Sequence, residues 1–448
     1  MKNIDVGKIQ IAPFEFVSIL EIKIEKELNE HATLYVCGIV KDDIHFTPVI
    51  GITEGANIKC ENDGQVYFNG VLQNIKISCV DAVYRLEVYA VSNTILLDTV
   101  KYKRSFQDYA QTYQSIVETV IADNSGAVAY NASEMTVENI ILQYNETDWE
   151  FAKRLASHTQ DVLIPITDDN PAFHFGAPDE GDAKLVSNNY AISKDFEAFR
   201  RMITEADPLT ADDVTLYTVE TDVFVCDLGE KLNLNGIDLH VCRISLSLVD
   251  SALKMIYTLC AKKAVSAPKA YNRAITGLVL DGKVTEVKND TLKLDLCNDI
   301  ERGVEEDTEE KHFFKYATGY SMENHTGWYV MPEENDIVQL LFPLEDEKYA
   351  YAASSVRQED TDRIADYLVK YLRTSYGKEI KLQEKEILIT AKDNTTFIRI
   401  NEDTGISIIT PKPISISSGS TLSIKSEDDM TITTNKNLKI TAKESIEH

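Results

Sequence analysis

The chain ends on "IRINEDTGISIITPKPISISSGSTLSIKSEDDMTITTNKNLKITAKESIEH", residues 398–448, and its rhythm decides how the rest is read. Cut into eights from Ile398, every block opens apolar–polar–apolar except the last, which ends in His448. The apolar pairs are Ile398 and Ile400, Ile406 and Ile408, Ile414 and Ile416, Leu422 and Ile424, Met430 and Ile432, and Leu438 and Ile440, while the last block sets Ile446 and His448 at the same two positions. Between them stand Arg399, Ser407, Ser415, Ser423, Thr431, Lys439 and Glu447, all polar. Strand alternation puts the two sets on opposite faces, so each octad reads as a short strand plus a turn with one apolar face.

Eight residues reach at most about 26–29 Å when fully extended. That is too short for one chain to coil around a filled core. Three chains contributing one octad each give about 24 residues per turn, a plausible circumference for an interwound prism built in stacked layers. Such a prism has no lateral sheet edge. The competing arrangement is a one-chain meander, which leaves a greasy sheet face in need of a partner. Calcium-binding β-roll repeats are excluded, because their Gly-Gly-x-Gly-x-Asp pattern is missing.

Upstream, the first hundred residues are β-branched and aromatic-rich, as in "FVSILEIKIEKE" (16–27) and "YRLEVYAVS" (84–92), with short turns that favour antiparallel pairing. "SFQDYAQTYQSIVETVIAD" carries an apolar stripe at spacings of three and four and predicts a helix near 106–124. A second helix is expected near 147–159, with Thr147 and Glu150 placed for a capping box. A β-rich stretch follows. In it "VCRISLSLVDSALKMIYTLC" (241–260) echoes "VLQNIKISCVDAVYRLEVYA" (71–90) at an offset near 170. Either the chain carries two similar barrels or these are two ordinary hairpins. "SAPKAYNRA" (266–274) reads as a linker. Five short strands in 275–357 suit a small closed barrel such as an OB-fold. A helical linker is expected over 358–377, with Ile364, Tyr367, Leu368, Tyr371 and Leu372 on one side, and 378–448 is the repeat-bearing segment.

A net charge of −28 over 448 residues, with no basic stripe, argues against nucleic-acid binding. The acidic run "ERGVEEDTEEKH" (301–312) reads as a solvated loop. No apolar run approaches a membrane span, and "MKNIDVGKIQIAPFEF" lacks the layout of a secretory signal. The expected place of synthesis is the cytoplasm. Seven scattered cysteines (37, 60, 79, 226, 242, 260 and 297), none in a C-x-x-C pair, read as reduced thiols.

No catalytic residue is proposed. H-E-x-x-H, G-x-S-x-G, the P-loop and G-x-G-x-x-G are all missing. Ser266-Ala-Pro-Lys269 matches S-x-x-K without its companion motifs, and Asp168 with Asp169 reads as a turn. His158 and His174 have no partner at ligand spacing, so no cofactor and no metal are expected from them. His448 falls on the inward register. Three copies converging on an axis would offer a metal site at the tip, and the alternative is a frayed terminus.

Four stretches, taken in order, resemble VgrG-type spike proteins. "QVYFNGVLQNIKI" (65–77) is similar to their F-x-G-x-(I/V) strand pair. "QYNETDWEFAKRLASHTQ" (143–160) resembles their Tyr-Gln-Glu-(Ser/Thr)-Asp-(Trp/Phe)-x-Phe-x-x-Arg-Leu signature. "GWYVMPEENDIVQLLFP" (327–343) resembles their OB strand pair, and "YLRTSYGKEIKL" (371–382) the R-T-x-x-G-H-x-I element that opens their β-helix. The resemblance implies a mainly β fold. Residues 1–265 would be a hub of two similar β-barrels with intervening helices, 275–357 an OB-fold, and 378–448 an intertwined trimeric β-helix needle with octads from 398.

It also implies a homotrimer at the tip of a contractile injection machine: type VI secretion, a contractile phage tail or a tailocin. The hub would meet a hexameric tube and baseplate proteins. A PAAR-type cap or effector would sit at the tip, and the membrane would be crossed transiently. The particle would assemble in the cytoplasm and be ejected. Asn335 stands where the family has Gly, Lys378 replaces its His, and glycine is sparse in the octads, which implies locally different turns. No lysozyme-like insert precedes the needle and no effector domain follows it, so no enzyme activity is implied. The rival functions are a receptor-binding tail fibre or adhesin, and a wall- or polysaccharide-degrading enzyme on a β-helical stalk.

Overall fold

The computed structural model describes residues 6–41, 51–53, 55–167, 169–179, 181–194, 196, 210, 212–249, 252–296, 301–302, 311–321, 327–355, 366–392 and 395–443. The chain divides into two units, Met1–Arg357 and Gln358–His448.

The alternating N-terminal stretches become six strands: β1 (Ile9–Ala12), β2 (Phe16–Glu27), β3 (Thr33–Val40), β4 (Asn57–Asn62), β5 (Gln65–Val80) and β6 (Val83–Ser92). They pair in the order β1-β4-β5-β6-β3-β2. A middle segment follows: β7 (Tyr102–Phe106), α1 (Tyr113–Ala122), β8 (Ala127–Tyr130), β9 (Ile141–Glu146), α2 (Asp148–His158), β10 (Leu163–Ile166) and β11 (Ala172–Phe175). Then come six more strands: β12 (Ala183–Leu185), β13 (Tyr190–Lys194), β14 (Thr215–Thr221), β15 (Lys231–Leu234), β16 (Ile237–Val249) and β17 (Ala252–Cys260). Their pairing runs β12-β15-β16-β17-β14-β13. Counted from one to six within each set, the order is 1-4-5-6-3-2 both times.

The faint sequence echo is therefore a topological duplication. Hairpin β5–β6 pairs from Val80↔Val83 to Asn74↔Tyr89, then skips Gln73. Hairpin β16–β17 pairs from Val249↔Ala252 to Arg243↔Thr258, then skips Cys242. Turn and bulge thus recur at the same distance, with residue numbers shifted by 169 (Val80 to Val249, Gln73 to Cys242). A bulge re-aims the strand and strengthens its twist, so it is a feature of a pairing geometry and not of particular side chains. One difference separates the halves: β1 meets β4 antiparallel, whereas β12 meets β15 parallel. The halves join edge to edge through β2 and β16, with Ile24 opposite Leu246. Their apolar faces share one core that includes Ile24, Val36, Phe68, Val88, Ile244 and Tyr257.

Both expected helices form. The first is shorter than its apolar stripe, because the Asp108 carboxylate accepts from Ala110 N at 2.7 Å in a turn and Thr112 caps the helix that follows. A second core holds α1 and α2 together around Trp149, Phe151, Phe173 and Phe175.

The last part of the first unit comprises β18 (Leu278–Lys288), β19 (Thr291–Leu296), β20 (Glu301–Arg302), β21 (Phe314–Ala317), β22 (Tyr320–Ser321), β23 (Gly327–Trp328), β24 (Ile337–Phe342) and β25 (Tyr351–Ser355). Strands β18-β19-β21-β25-β24 close a barrel, with β21 and β25 parallel. This is a five-stranded barrel of the kind expected for an OB-fold, and its core includes Val284, Leu294, Phe314, Leu340 and Phe342. Asn335 sits at φ +77°, a left-handed region that Asn tolerates better than most residues.

In the second unit β26 (Lys370–Arg373), β27 (Glu379–Leu382), β28 (Glu386–Lys392), β29 (Thr396–Asn401) and β30 (Gly405–Ile409) form an antiparallel meander. The helix expected over 358–377 is corrected in its described part. Residues 366–369 are a turn closed by Asp366, and Tyr371 and Leu372 lie in β26, paired with β27. A short apolar run fits either period, and here the ladder to "EIKL" decides. Ile364 lies outside the described residues. Among the described residues no helix is long and apolar enough to cross a membrane.

Candidate functional site

Two surfaces carry chemistry that the described residues leave unused: the apolar face of the second unit and the strand edges of the duplicated sheet that have no partner among the described residues. The octads supply the first. In the meander Ile389 lies opposite Ile398, Ile387 opposite Ile400, Ile398 opposite Ile408 and Ile400 opposite Ile406. Residues directly opposite share a face. With Leu372, Ile380 and Leu382 they make one contiguous apolar sheet face, on which Ile398 is 38% and Ile406 70% exposed. Thus Ile398, Ile400, Ile406 and Ile408 follow the one-chain meander, and that meander has the uncovered face it should have.

From 410 onward the chain has no regular strand and no strand partner among the described residues. Ile414, Ile416, Leu422, Ile424, Met430, Ile432, Leu438 and Ile440 are all more than half exposed. Bends fall at 411–412, 419–420, 427–428 and 435–436, once per octad. The corners need little glycine because hydroxyls make them. Thr410 Oγ1 accepts from Lys412 N at 3.1 Å, Ser418 Oγ from Ser420 N at 3.2 Å, and Thr434 Oγ1 from Lys436 N at 3.2 Å. These Ser/Thr turns occupy one octad position, a signal present in the sequence that the apolar pattern overshadowed. Ile446 and His448 lie outside the described residues, so the tip position is a proposal only.

The spike-like signature of 143–160 is a structural clamp. The capping box of α2 forms as expected: Glu150 N donates to Thr147 Oγ1 at 3.1 Å and Thr147 N to Glu150 Oε2 at 3.0 Å. The fully buried Asp148 accepts from Arg104 Nη1 at 2.7 Å and from Gln143 Nε2 at 3.0 Å. Burial pushes its carboxyl above the usual range, opposed by those two donors. Arg154 is buried between two carboxylates. Its Nε reaches Glu146 Oε1 at 2.8 Å and its Nη1 reaches Glu347 Oε1 at 3.0 Å, tying α2 to the residues just before β25. Both carboxylates hold its charge, so the ion pair is satisfied on each side.

The remaining candidates stay apart. His158 hydrogen-bonds the Ala270 carbonyl through Nε2 at 2.9 Å, and burial, reinforced by the Arg154 charge, lowers its pKa to about 3. His174 lies against Asn131, 3.0 Å from Nδ2, and is lowered by burial. Asp169 accepts from Asn69 at 2.6 Å, while Asp168 lies outside the described residues. Ser266 donates to Lys263 O at 3.0 Å, and the Lys269 ammonium sits over the Tyr271 ring, so these two are engaged elsewhere. No group of three or more His, Cys, Asp or Glu among the described residues is placed to hold a metal.

Residues 26–159 match the phage tail baseplate hub (GPD) family. No curated protein sequence matches the chain. Among solved structures, the Escherichia coli c3393 protein is similar at TM-score 0.55 and 13% identity, over 78% of this chain and 100% of that one. It is described as a component of the type VI secretion system with structural similarity to the T4 tail proteins gp27 and gp5. A chain of the lidded Francisella PdpA–VgrG complex is similar at TM-score 0.55 and 9% identity, over 87% of this chain and 76% of that one. A chain of the lidless complex gives 0.54 and 8%, over 87% and 93%. The fold is thus mainly β with the hub arrangement of these proteins, and the resemblance to VgrG-type spikes holds at that level.

Proposed function

We propose that this chain is the hub and spike at the tip of a contractile injection machine, built as a homotrimer and without catalytic activity. The observation that carries this reading is the eight-residue apolar stripe of 398–440, uncovered along its whole length in one chain. Three such chains cover one another's faces and supply partners for the backbone from 410, whose N–H and C=O groups have no strand partner among the described residues. Ile446 continues the stripe, and His448 falls on the same register.

The mechanism is mechanical. A contracting sheath drives the tube, and the layered prism leads it through the target envelope. The duplicated sheet gives each chain two similar halves, so three chains present six, matching a hexameric tube and nucleating its assembly on the baseplate. A PAAR-type cap or an effector at the needle end completes the particle, which is assembled in the cytoplasm and ejected. Mixing the purified chain with its candidate tube protein tests this: co-elution at three chains per six tube subunits is expected, and failure to associate at any ratio contradicts the hub role.

A further inference from the structure

The barrel of the first unit carries a face that the mechanical role does not use. Its circuit β18-β19-β21-β25-β24, with β21 parallel to β25, is that of an OB-fold. Such barrels take ligands across their second and third strands, bounded by the loop between strands one and two and the loop between strands four and five. Here those are β19 and β21, the Asn289–Asp290 turn, and residues 343–350. Two clefts open on this face. One, of about 670 Å³, runs against Asn289 and Asp290, and the other, of about 550 Å³, against Lys348 and Tyr349. Phe313, Lys315 and Tyr316 line both, so the clefts adjoin.

Aromatic rings stand at both ends of this groove. At the turn, Tyr329 Oη donates to the Asn289 carbonyl at 3.0 Å while its ring stays exposed, and the adjacent Trp328 is 77% exposed. At the far loop Tyr349 is exposed as well. Cations accompany the rings. Lys288 Nζ lies 5.8 Å from the Phe313 ring centre, and Lys348 Nζ 4.8 Å from that of Tyr349. Lys348 is paired with Asp346 at 2.8 Å, whereas Lys288 and Lys315 have no carboxylate partner among the described residues. Asp290 is the one carboxylate among the described residues that line the two clefts, against three lysines, in a chain of net charge −28. His312 lines the second cleft, and its Nδ1 has no hydrogen-bond partner. Burial lowers its pKa to about 4, so the ring is neutral near pH 7.

We propose that this groove binds a short acidic oligosaccharide, with sugar rings stacked on Phe313 and Tyr349 and carboxylates held by Lys288 and Lys315. The apolar C–H face of a pyranose ring packs on an aromatic ring, which offers a large rigid surface at little entropic cost. The sugar hydroxyls meet the polar groups of Asn289, Tyr316 and Tyr349, and a lysine beside a carboxylate makes a charge-assisted hydrogen bond. Single-stranded nucleic acid also stacks on aromatic rings, but it binds along an extended basic groove, which this acidic chain lacks. The inference concerns the barrel alone and does not rest on the number of chains.

The test titrates the intact chain with tetragalacturonate and with a hyaluronan tetrasaccharide. Tryptophan emission is one readout: of the two tryptophans Trp149 is buried, so Trp328 reports on the groove. Titration calorimetry on the same samples registers binding that leaves Trp328 unmoved. Saturable binding of at least one acidic sugar is expected. Lys315→Glu and Tyr349→Ala, both at exposed positions, should each weaken it about tenfold while their melts match the parent. Neutral maltotetraose should bind more weakly by a similar factor. No saturable binding of either acidic sugar overturns the proposal. Unchanged affinity in both variants overturns the site, and equal binding of maltotetraose overturns the role of the lysines. Tighter binding of a thymidine tetranucleotide overturns the choice of sugar.

Discussion

Replacing Ile424 by serine separates the two readings of the octads. In the single chain Ile424 is 68% exposed, so its loss touches little, and a surface change of this kind shifts stability by about 0.5 kcal/mol or less. In a three-chain layer the exposed two thirds becomes buried. Full burial of such a side chain stabilises by about 1.5–3 kcal/mol, so the remaining fraction contributes about 1–2 kcal/mol per chain and about 3–6 per layer. Melting of the needle should fall by on the order of 10 °C or more. The neighbouring Ser423 stands between the two apolar positions of the same octad and would face outward in a three-chain layer, so Ser423→Lys should leave the melt unchanged. Differential scanning calorimetry with limited proteolysis of residues 398–448 reads both. Equal, small effects at 423 and 424 refute the inward–outward division on which the needle rests.

Other expected outcomes follow from the first unit. A Cβ at Gly70, in the F-x-G motif, would stand 2.2 Å from the Val91 carbonyl oxygen, so Gly70→Ala should cost about 2–4 kcal/mol in urea unfolding. Arg154→Met leaves Glu146 and Glu347 facing each other without their cation and should cost about 3–5 kcal/mol, seen as a lower melting temperature. His158 has a folded pKa of about 3 against an ordinary 6.5, so the unfolded chain binds the proton first as pH falls. Its stability contribution is full above pH 6.5 and is lost progressively toward pH 3, about 2 kcal/mol by pH 5. His158→Gln should flatten the fall in stability between pH 6.5 and 5 by that amount, and an unchanged slope would show that the ring is not held neutral.

How much was legible depended on what each feature is made of. The octad spacing was readable because side-chain period is what a sequence displays, and the bends from 411 to 436 recur with it. The capping box of Thr147 and Glu150 was readable for the same reason, being local and specific. The duplication was faint, since its content is hydrogen-bond order and a bulge. Gln73 and Cys242 share a place without sharing chemistry. The expected linker helix failed because Tyr371 and Leu372 satisfy both periods, and only pairing with the next strand, "EIKL", decides between them. The hydroxyl corners at Thr410, Ser418 and Thr434 were in plain view but carry no apolar signal. That β13 ends the sheet among the described residues could not be read at all, because an edge is defined by what pairs beside it.

The central claim is that this chain completes itself with two more copies. Native mass spectrometry of the intact chain near 0.15 M salt, where repulsion between chains of net charge −28 is screened, addresses it most directly. The account predicts a single species at three times the 50.4 kDa chain mass. A clean monomer under those conditions would contradict it.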